Sequence, residues 1–188
     1  MLRISLVVAS LLATLIAVPF AVADANHEYW PRVSGELRKA HEGSKHYIGT
    51  SRADELLGHH GSDVLDAGAG SDILWGDYDP AGQSTTQHDM IYGGAGNDFI
   101  YGSHGHNTIY AGPGNDAISV HYGYGLVDCG PGRDIYHVAK SRRHAYRFRN
   151  CEKADYRSEA QTRRSWPQAA ALSAPSRTAA ASRRGRTI

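Results

Sequence analysis

A nine-residue repeat between Gly49 and His137 constrains the fold more than any other feature of the chain. The eighth position of each block holds one large apolar residue: Leu56, Leu65, Leu74, Ile91, Ile100, Ile109, Ile118, Val127 and Tyr136. A repeat this short can bury that side chain only against neighbouring repeats, which is typical of a solenoid. The blocks begin at Gly49, Gly58, Ala67, Gly76, Gly93, Gly102, Ala111, Val120 and Cys129.

Each block reads as a six-residue turn followed by a strand of about three residues. Glycine at the second and fourth turn positions permits a positive φ and lets backbone carbonyls approach closely, because it has no Cβ. The sixth position is usually Asp, which places a carboxylate beside those carbonyls. Calcium binds about six to eight hard oxygen ligands, so the turns have the chemistry of calcium sites.

The pattern G-G-x-G-x-D-x-U-x, clearest from Gly93 to Tyr101, resembles the RTX, or haemolysin-type, calcium-binding repeat family. The resemblance covers residues 49 to 137. It implies an all-β fold, a parallel β-roll in which two blocks form one coil, so that alternate turns stack along two opposite edges. It also implies several bound Ca²⁺ ions as the cofactor.

We define the first edge as the turns that begin at 49, 67, 93, 111 and 129, and the second edge as those that begin at 58, 76, 102 and 120. Every sixth residue of the first edge is Asp, and four of its turns also carry both glycines. Its candidate calcium ligands are Asp54, Asp72, Asp98, Asp116 and Asp134, together with Gly68, Gly70, Gly94, Gly96, Gly112, Gly114, Gly130 and Gly132.

The second edge loses this chemistry along the stack. Its sixth residues are Asp63, Asp89, Asn107 and Gly125. We therefore expect a line of calcium ions along the first edge and weaker binding at Asp63 and Asp89. Gly93 follows Gly76 by 17 residues rather than nine, and we interpret the excess around Asp79 to Gln87 as a solvated loop. The alternative is that Asp77 and Asp79 bind an extra ion there.

The charge of the repeats predicts that folding depends on calcium. Residues 49 to 137 contain 12 acidic residues against Arg52 and Arg133, a net charge of about −10, whereas the whole chain is +1. Stacked carboxylates would repel across coils spaced about 4.8 Å apart. Binding and folding should therefore be coupled.

The flanking segments predict export. Residues 1 to 23 have a positive Arg3, a largely apolar run and a small-residue Ala21-Val22-Ala23 end, as a cleaved signal peptide does. The mature protein would be secreted and would lack a transmembrane segment. We expect a flexible lead-in over 24 to 44, with His46-Tyr47-Ile48 as the first strand.

Residues 45 to 156 are predicted to form the β-roll with its C-terminal cap. Residues 157 to 188 are predicted to form a disordered basic tail with seven Arg and one acidic residue.

The segment from Val127 to Asp134, followed by Asn150-Cys151-Glu152, resembles the C-terminal end of secreted members of the family. This resemblance implies a disulfide between Cys129 and Cys151 that ties a capping strand to the last coil. Two free thiols are the alternative, disfavoured outside the cytosol.

The sequence contains neither a G-x-S-x-G elbow nor an H-E-x-x-H zinc motif, and the repeats leave little chain for a catalytic domain. We therefore predict a protein that is not an enzyme. The arginines of the tail do not indicate specific nucleic-acid binding.

Two further groups of side chains offer alternatives to a purely structural role. His88 and His106 occupy position five of adjacent second-edge turns and are interpreted as exposed turn residues. The alternative is that they bind a transition ion such as zinc together. The ninth positions that hold aromatic residues are predicted to form one aromatic row: Trp75, Tyr92, Tyr101 and Tyr110.

The main function hypothesis is a structural or surface-associated calcium-binding protein, and the alternative is an adhesion module for a glycan or cell-envelope partner.

Overall fold

The chain forms a parallel β-solenoid of about six turns. This computed structural model describes residues 33–79, 82 and 84–157. The predicted signal peptide, the first part of the lead-in and nearly all of the basic tail lie outside these residues. Within them, the all-β roll predicted from the repeat is confirmed.

Two parallel sheets form the walls of the roll, and the chain alternates between them. Sheet A has seven strands: β1 (Leu37–Lys39), β3 (Glu55–Leu57), β5 (Ile73–Trp75), β7 (Phe99–Tyr101), β9 (Ala117–Ser119), β11 (Ile135–His137) and β13 (Lys153–Asp155). Sheet B has six strands: β2 (His46–Ile48), β4 (Val64–Asp66), β6 (His88–Tyr92), β8 (His106–Tyr110), β10 (Tyr124–Asp128) and β12 (Tyr146–Arg149). First-edge turns therefore lead into sheet A and second-edge turns into sheet B, as the block order predicts.

The eighth-position side chains fill the space between the sheets. Successive side chains of a strand point to opposite faces, so the middle residue of a three-residue strand points inward while its neighbours point outward. Equivalent residues pair across coils, as Leu56 does with Leu74 and Ile91 with Ile109. All of these side chains are fully buried except Tyr136, which stacks on Phe148 in the cap with ring centroids 4.1 Å apart.

The insertion in the second edge leaves the stacking intact. β6 and β8 pair in register from His88 with His106 to Tyr92 with Tyr110, although the chain before β6 is eight residues longer than in the other blocks. The extra residues precede β6, and the pairing of β6 with β4 and with β8 is uninterrupted. The predicted position of the insertion agrees with this geometry.

The N-terminal end holds one strand more than the sequence suggests. β2 covers the predicted first strand, but β1 precedes it within the segment expected to be a flexible lead-in, and pairs with β3. Ala40, just after β1, is buried. Sequence patterns miss such a strand because three exposed residues need no apolar periodicity when the neighbouring coil supplies their hydrogen bonds.

The C-terminal end is capped by two strands and a disulfide. β12 pairs with β10 and β13 pairs with β11, and a short 3-10 helix, Lys140–Arg142, lies between the last coil and the cap. Cys129 and Cys151 are bonded, with their Cα atoms 5.1 Å apart, so the predicted disulfide is confirmed. Among the described residues, no helix has the length and apolar content needed to cross a membrane.

Substituting Gly96 tests the close approach of the coils. A Cβ at Gly96 would lie 1.4 Å from the carbonyl oxygen of Gly70, and Gly96 has a φ of 142°. Gly43 also has a positive φ, 68°, but a Cβ there meets nothing within 4 Å. We expect Gly43→Ala to cost about 1–2 kcal/mol from backbone strain alone and Gly96→Ala about 2–5 kcal/mol, because overpacking adds to the strain. Urea unfolding with calcium present measures both losses, and equal losses would contradict this packing.

Candidate metal centre

Four aspartates of the first edge form a ladder from coil to coil. The β hydrogen bonds begin at position seven of each block, so the N–H of position six remains for a side-chain acceptor. The backbone N–H of each first-edge aspartate donates to Oδ1 of the aspartate in the next coil. The bonds run from Asp54 to Asp72 at 2.7 Å, Asp72 to Asp98 at 2.9 Å, Asp98 to Asp116 at 2.8 Å and Asp116 to Asp134 at 2.8 Å.

The second oxygen of each of these four carboxylates has no partner. The Oδ2 atoms of Asp72, Asp98, Asp116 and Asp134 are buried and accept no hydrogen bond. A buried polar atom without a partner is rare in a folded protein, and a buried charge without one is costly. Four such oxygens at equivalent positions along one edge form an anionic donor set that fits a cation.

Burial also changes the acidity of these groups. Desolvation, together with the neighbouring carboxylates, raises the pKa of Asp72 to about 6, of Asp98 to about 7 and of Asp116 to about 8. The pKa of Asp134 is raised to about 6, again mainly by burial. Without a cation, the ladder resists full ionisation at neutral pH.

The glycines of the same turns bring carbonyl oxygens to this edge. A Cβ at Gly94 would lie 2.0 Å from the oxygen of Gly68, and one at Gly112 would lie 2.0 Å from the oxygen of Gly94. The carbonyls of successive turns therefore fill the space that a side chain would occupy. Carboxylate and carbonyl oxygens form a hard donor set, which fits calcium.

The fourth turn position departs from the expected backbone in part of the stack. Gly70 and Gly96 have positive φ, whereas Gly114 and Gly132, each directly after a proline, do not. Glycine is still required at these two positions, because there is no room for a Cβ. A Cβ at Gly114 would lie 1.6 Å from the carbonyl oxygen of Gly96, and one at Gly132 would lie 1.5 Å from that of Gly114.

Asp54 differs from the other first-edge aspartates. Its Oδ2 accepts the N–H of Thr50 at 2.6 Å and the Thr50 hydroxyl at 2.9 Å, and its Oδ1 accepts the N–H of Glu36. Its turn has Thr50 and Arg52 where the others have glycine. The structure thus brings four of the five predicted first-edge carboxylates into one environment and places Asp54 in another.

The second-edge aspartates have protein partners on both oxygens. Asp63 accepts the N–H of Lys45 at 2.6 Å and that of His59 at 3.1 Å. Asp89 accepts the N–H of Asp63 at 2.8 Å on one oxygen and contacts the Ser103 hydroxyl with the other. This contrast agrees with the expectation that calcium chemistry weakens on the second edge.

Sequence reasoning missed residues that extend or replace these ligands. Glu152 accepts the N–H of Asp134 at 2.9 Å and so continues the ladder into the cap. The sequence could have indicated Glu152, because it follows Asp134 by 18 residues, the length of one coil.

Gln87 and Ser103 are buried beside Asp77 and Asp89, and no repeat pattern marks them. Mainly through burial, the pKa of Asp77 is raised to about 8 and that of Asp89 to about 6.

The histidines and aromatic residues are arranged as pairs. The rings of His88 and His106 stack with centroids 5.0 Å apart, one coil from each other as predicted. Within the described residues, no group of three His, Cys, Asp or Glu side chains is arranged to hold a metal, so zinc binding by this pair stays a hypothesis.

The prediction of a single aromatic row is wrong. Trp75 stacks on Tyr101 in sheet A, at 4.1 Å, and Tyr92 stacks on Tyr110 in sheet B, at 5.5 Å. Successive blocks alternate between the two sheets, so ninth positions that look like one series along the sequence fall on two opposite walls.

Comparison with known families agrees with the geometry of the first edge. Residues 48–77 and 84–118 match the model of the RTX calcium-binding nonapeptide repeat, in four copies. The matched segments are RTX repeats. RTX repeats bind calcium ions, several per array. The RTX match ends at residue 118, whereas the coils continue through β11 into the cap. No curated protein and no solved structure matches the chain.

The raised pKa values predict an unusual pH dependence for the calcium-free roll. The four ladder carboxyls have folded pKa values of about 6 to 8 against an ordinary 3.8, so the folded state holds protons that the unfolded chain releases. Their contribution to stability is complete below about pH 4 and is lost as the pH rises through about 6 to 8. Thermal unfolding in calcium-free buffer should show a cooperative transition at pH 5, and at pH 8 either a lower Tm or no transition because the roll is already largely unfolded.

Saturating calcium should reverse this trend, because calcium binds the deprotonated carboxylates. His137 opposes it in calcium-free buffer, since burial lowers the pKa of its ring to about 4. The variant Asp98→Asn/Asp116→Asn is therefore the control and should show a flatter calcium-free profile than the parent. A calcium-free parent whose stability does not fall between pH 5 and pH 8, or falls no more than that of the variant, would contradict the assignment.

Proposed function

We propose that this protein is secreted and has no catalytic activity, and that calcium held by the first edge is what makes its roll a stable scaffold. The RTX repeats support a calcium-binding structural protein. The site assignment depends on one observation: the unpartnered Oδ2 atoms of Asp72, Asp98, Asp116 and Asp134 lie at equivalent places along one edge.

In this proposal the aspartates and glycines of the first edge supply different calcium ligands. Each ladder carboxylate keeps one oxygen on the backbone of the preceding coil and gives the other to calcium. The carbonyls of the glycine turns supply further oxygens, and the positive charge of the ions offsets the repulsion between carboxylates. Asp54 and Asp63 contribute less, because their oxygens already accept N–H groups.

Two observations support export: the signal peptide predicted over residues 1 to 23 and the Cys129–Cys151 disulfide. Disulfides persist in oxidising compartments outside the cytosol. Extracellular calcium sites work with dissociation constants of about 10⁻⁴ to 10⁻³ M. A protein that folds with calcium in this range would stay unfolded where calcium is scarce and fold after leaving the cell.

Calcium titration calorimetry of matched variants tests the first edge. Asp98→Asn removes an unpartnered oxygen, whereas Asp63→Asn alters a carboxylate whose oxygens are both bonded to the backbone. We expect Asp98→Asn to lower the number of bound ions by at least one and Asp63→Asn to change it little. The proposal fails if the Asp98 variant binds as many ions as the parent with equal affinity.

The outer face of sheet B favours the alternative function, an adhesion or ligand-binding module. Tyr110 and Tyr124 are 38% and 45% exposed there, and Tyr92 stacks on Tyr110. Exposed aromatic rings provide flat apolar surfaces for the faces of sugars. A glycan or cell-envelope polymer would thus bind the roll on sheet B while calcium holds the coils together.

A glycan array with the calcium-loaded protein tests this alternative. Tyr110→Ala/Tyr124→Ala should reduce binding at least tenfold, whereas Tyr122→Ala, which changes an equally exposed turn tyrosine, should leave it unchanged. Absence of any binding by the parent protein would remove the alternative.

A further inference from the structure

The outer face of sheet A is apolar and closed to solvent, whereas that of sheet B is open. Positions seven and nine of each block point outward, because position eight points inward. On sheet A the outward residues Ile73, Phe99 and Tyr101 are 2%, 6% and 7% exposed. On sheet B the outward residues Met90 and Tyr110 are 39% and 38% exposed. Equivalent positions are therefore covered on one wall of the roll and uncovered on the other.

The buried outward residues of sheet A form an apolar cluster separate from the core between the sheets. The cluster consists of Ile73, Phe99, Tyr101 and Ala117, with Trp75 packed against it. Among the described residues, all thirteen strands belong to the two walls, and the short 3-10 helix has no buried residue. Residues 84–86 of the insertion are exposed as well. No strand or helix of the described part thus provides the cover.

The chain turns back over this face after β13. β13 is the last strand of sheet A and β9 lies two strands away from it. The carbonyl oxygen of Arg157, two residues beyond β13, nevertheless lies 3.3 Å from Nε2 of His121, which follows β9. Nδ1 of His121 lies 2.8 Å from the Ser119 hydroxyl, and the carboxylate of Asp155 lies 3.3 Å from the buried ring of His137. These contacts direct the residues after Arg157 toward the apolar cluster.

The residues that follow Arg157 include the apolar side chains that a cover needs. Trp166 and Leu172 are large and apolar, whereas residues 173–187 contain no such side chain. The distance from β13 to β7, which carries Phe99 and Tyr101, is three strand spacings, or about 14 Å. The nine residues from Arg157 to Trp166 span up to about 30 Å when extended, so Trp166 can reach the cluster.

The other end of the chain is a poorer source of the cover. The residues before Val33 lead into β1, where Leu37 lies in the same outward row as Ile73. Leu37 is 58% exposed, whereas His137, at the opposite end of the face, is fully buried. Burial of this face is therefore complete near Arg157, where the described chain ends, and is lost at β1.

We propose that residues 158–172 bind to the outer face of sheet A of the same molecule, with Trp166 against Phe99 and Tyr101. This segment shields an apolar surface that would otherwise favour self-association. Its binding depends on sheet A and not on the calcium ligands of the first edge. The prediction of a disordered tail would then be wrong for residues 158–172.

Two truncations of the oxidised, calcium-loaded mature protein test the proposal. Removal of residues 158–188 should uncover sheet A, which gives stronger binding of an apolar fluorescent dye and a lower Tm. Removal of residues 173–188 is the matched control and should change neither. A synthetic peptide of residues 158–172 should restore low dye binding to the shorter chain, and its Trp166→Ala form should bind at least about tenfold more weakly, because it lacks the largest apolar side chain. A 158–188 truncation with the parent's Tm and dye binding would overturn the proposal.

A double-mutant cycle in the full-length mature protein keeps the test decisive if the shorter chain does not fold. The Tm losses of Trp166→Ala and Tyr101→Ala should be strongly non-additive, because the two side chains contact each other. The control cycle pairs Tyr101→Ala with Trp30→Ala and should be additive. Additivity with Trp166, or coupling to Trp30 instead, would overturn the proposal. A dimeric parent that becomes monomeric in Tyr101→Ala would also overturn it, since a second copy would then be the cover.

Discussion

The burial of a line of carboxylates is the constraint on which the rest of the roll depends. The ladder aspartates are placed by backbone hydrogen bonds that the coil geometry itself creates, as between Asp98 N–H and Asp116. Each keeps a second oxygen in a buried position without a partner. Desolvation of charges is far more costly than the loss of a single hydrogen bond. The chain therefore needs protons or cations at this edge to be stable, and in the proposed function calcium supplies the charge at neutral pH.

The narrow core explains why so much depends on the turns. Each block buries one large side chain between the sheets, and the interior is a single column of such residues for each wall. A solenoid of this kind is stabilised through contacts between neighbouring coils, and its ends need caps. Here β12, β13 and the Cys129–Cys151 bond close one end, with β1 and β2 at the other. In the proposed function, calcium ions connect the coils at the first edge, where the apolar column does not reach.

The repeat made most of the fold predictable. Its period determined the strands, the alternation between sheets, the inward residues and the position of the insertion, because one block is one turn and one strand. It also identified the aspartate ladder, although the special environment of Asp54 depends on Thr50, a local contact that no period reveals. β1 was missed because it has no pattern of its own. The second-edge cluster was missed because Gln87 and Ser103 meet only after the coils stack.

A calcium titration of the mature, oxidised protein, followed by far-UV circular dichroism with magnesium as the control, tests the central claim most directly. The account predicts little β signal in chelator at pH 8 and a cooperative gain with calcium in the millimolar range, which magnesium does not reproduce. The contradictory result is a full β signal in chelator at pH 8, with no change in signal or in Tm when calcium is added. In that case the buried carboxylates would be stable without ions, and the turns would serve only as glycine-rich connections between strands.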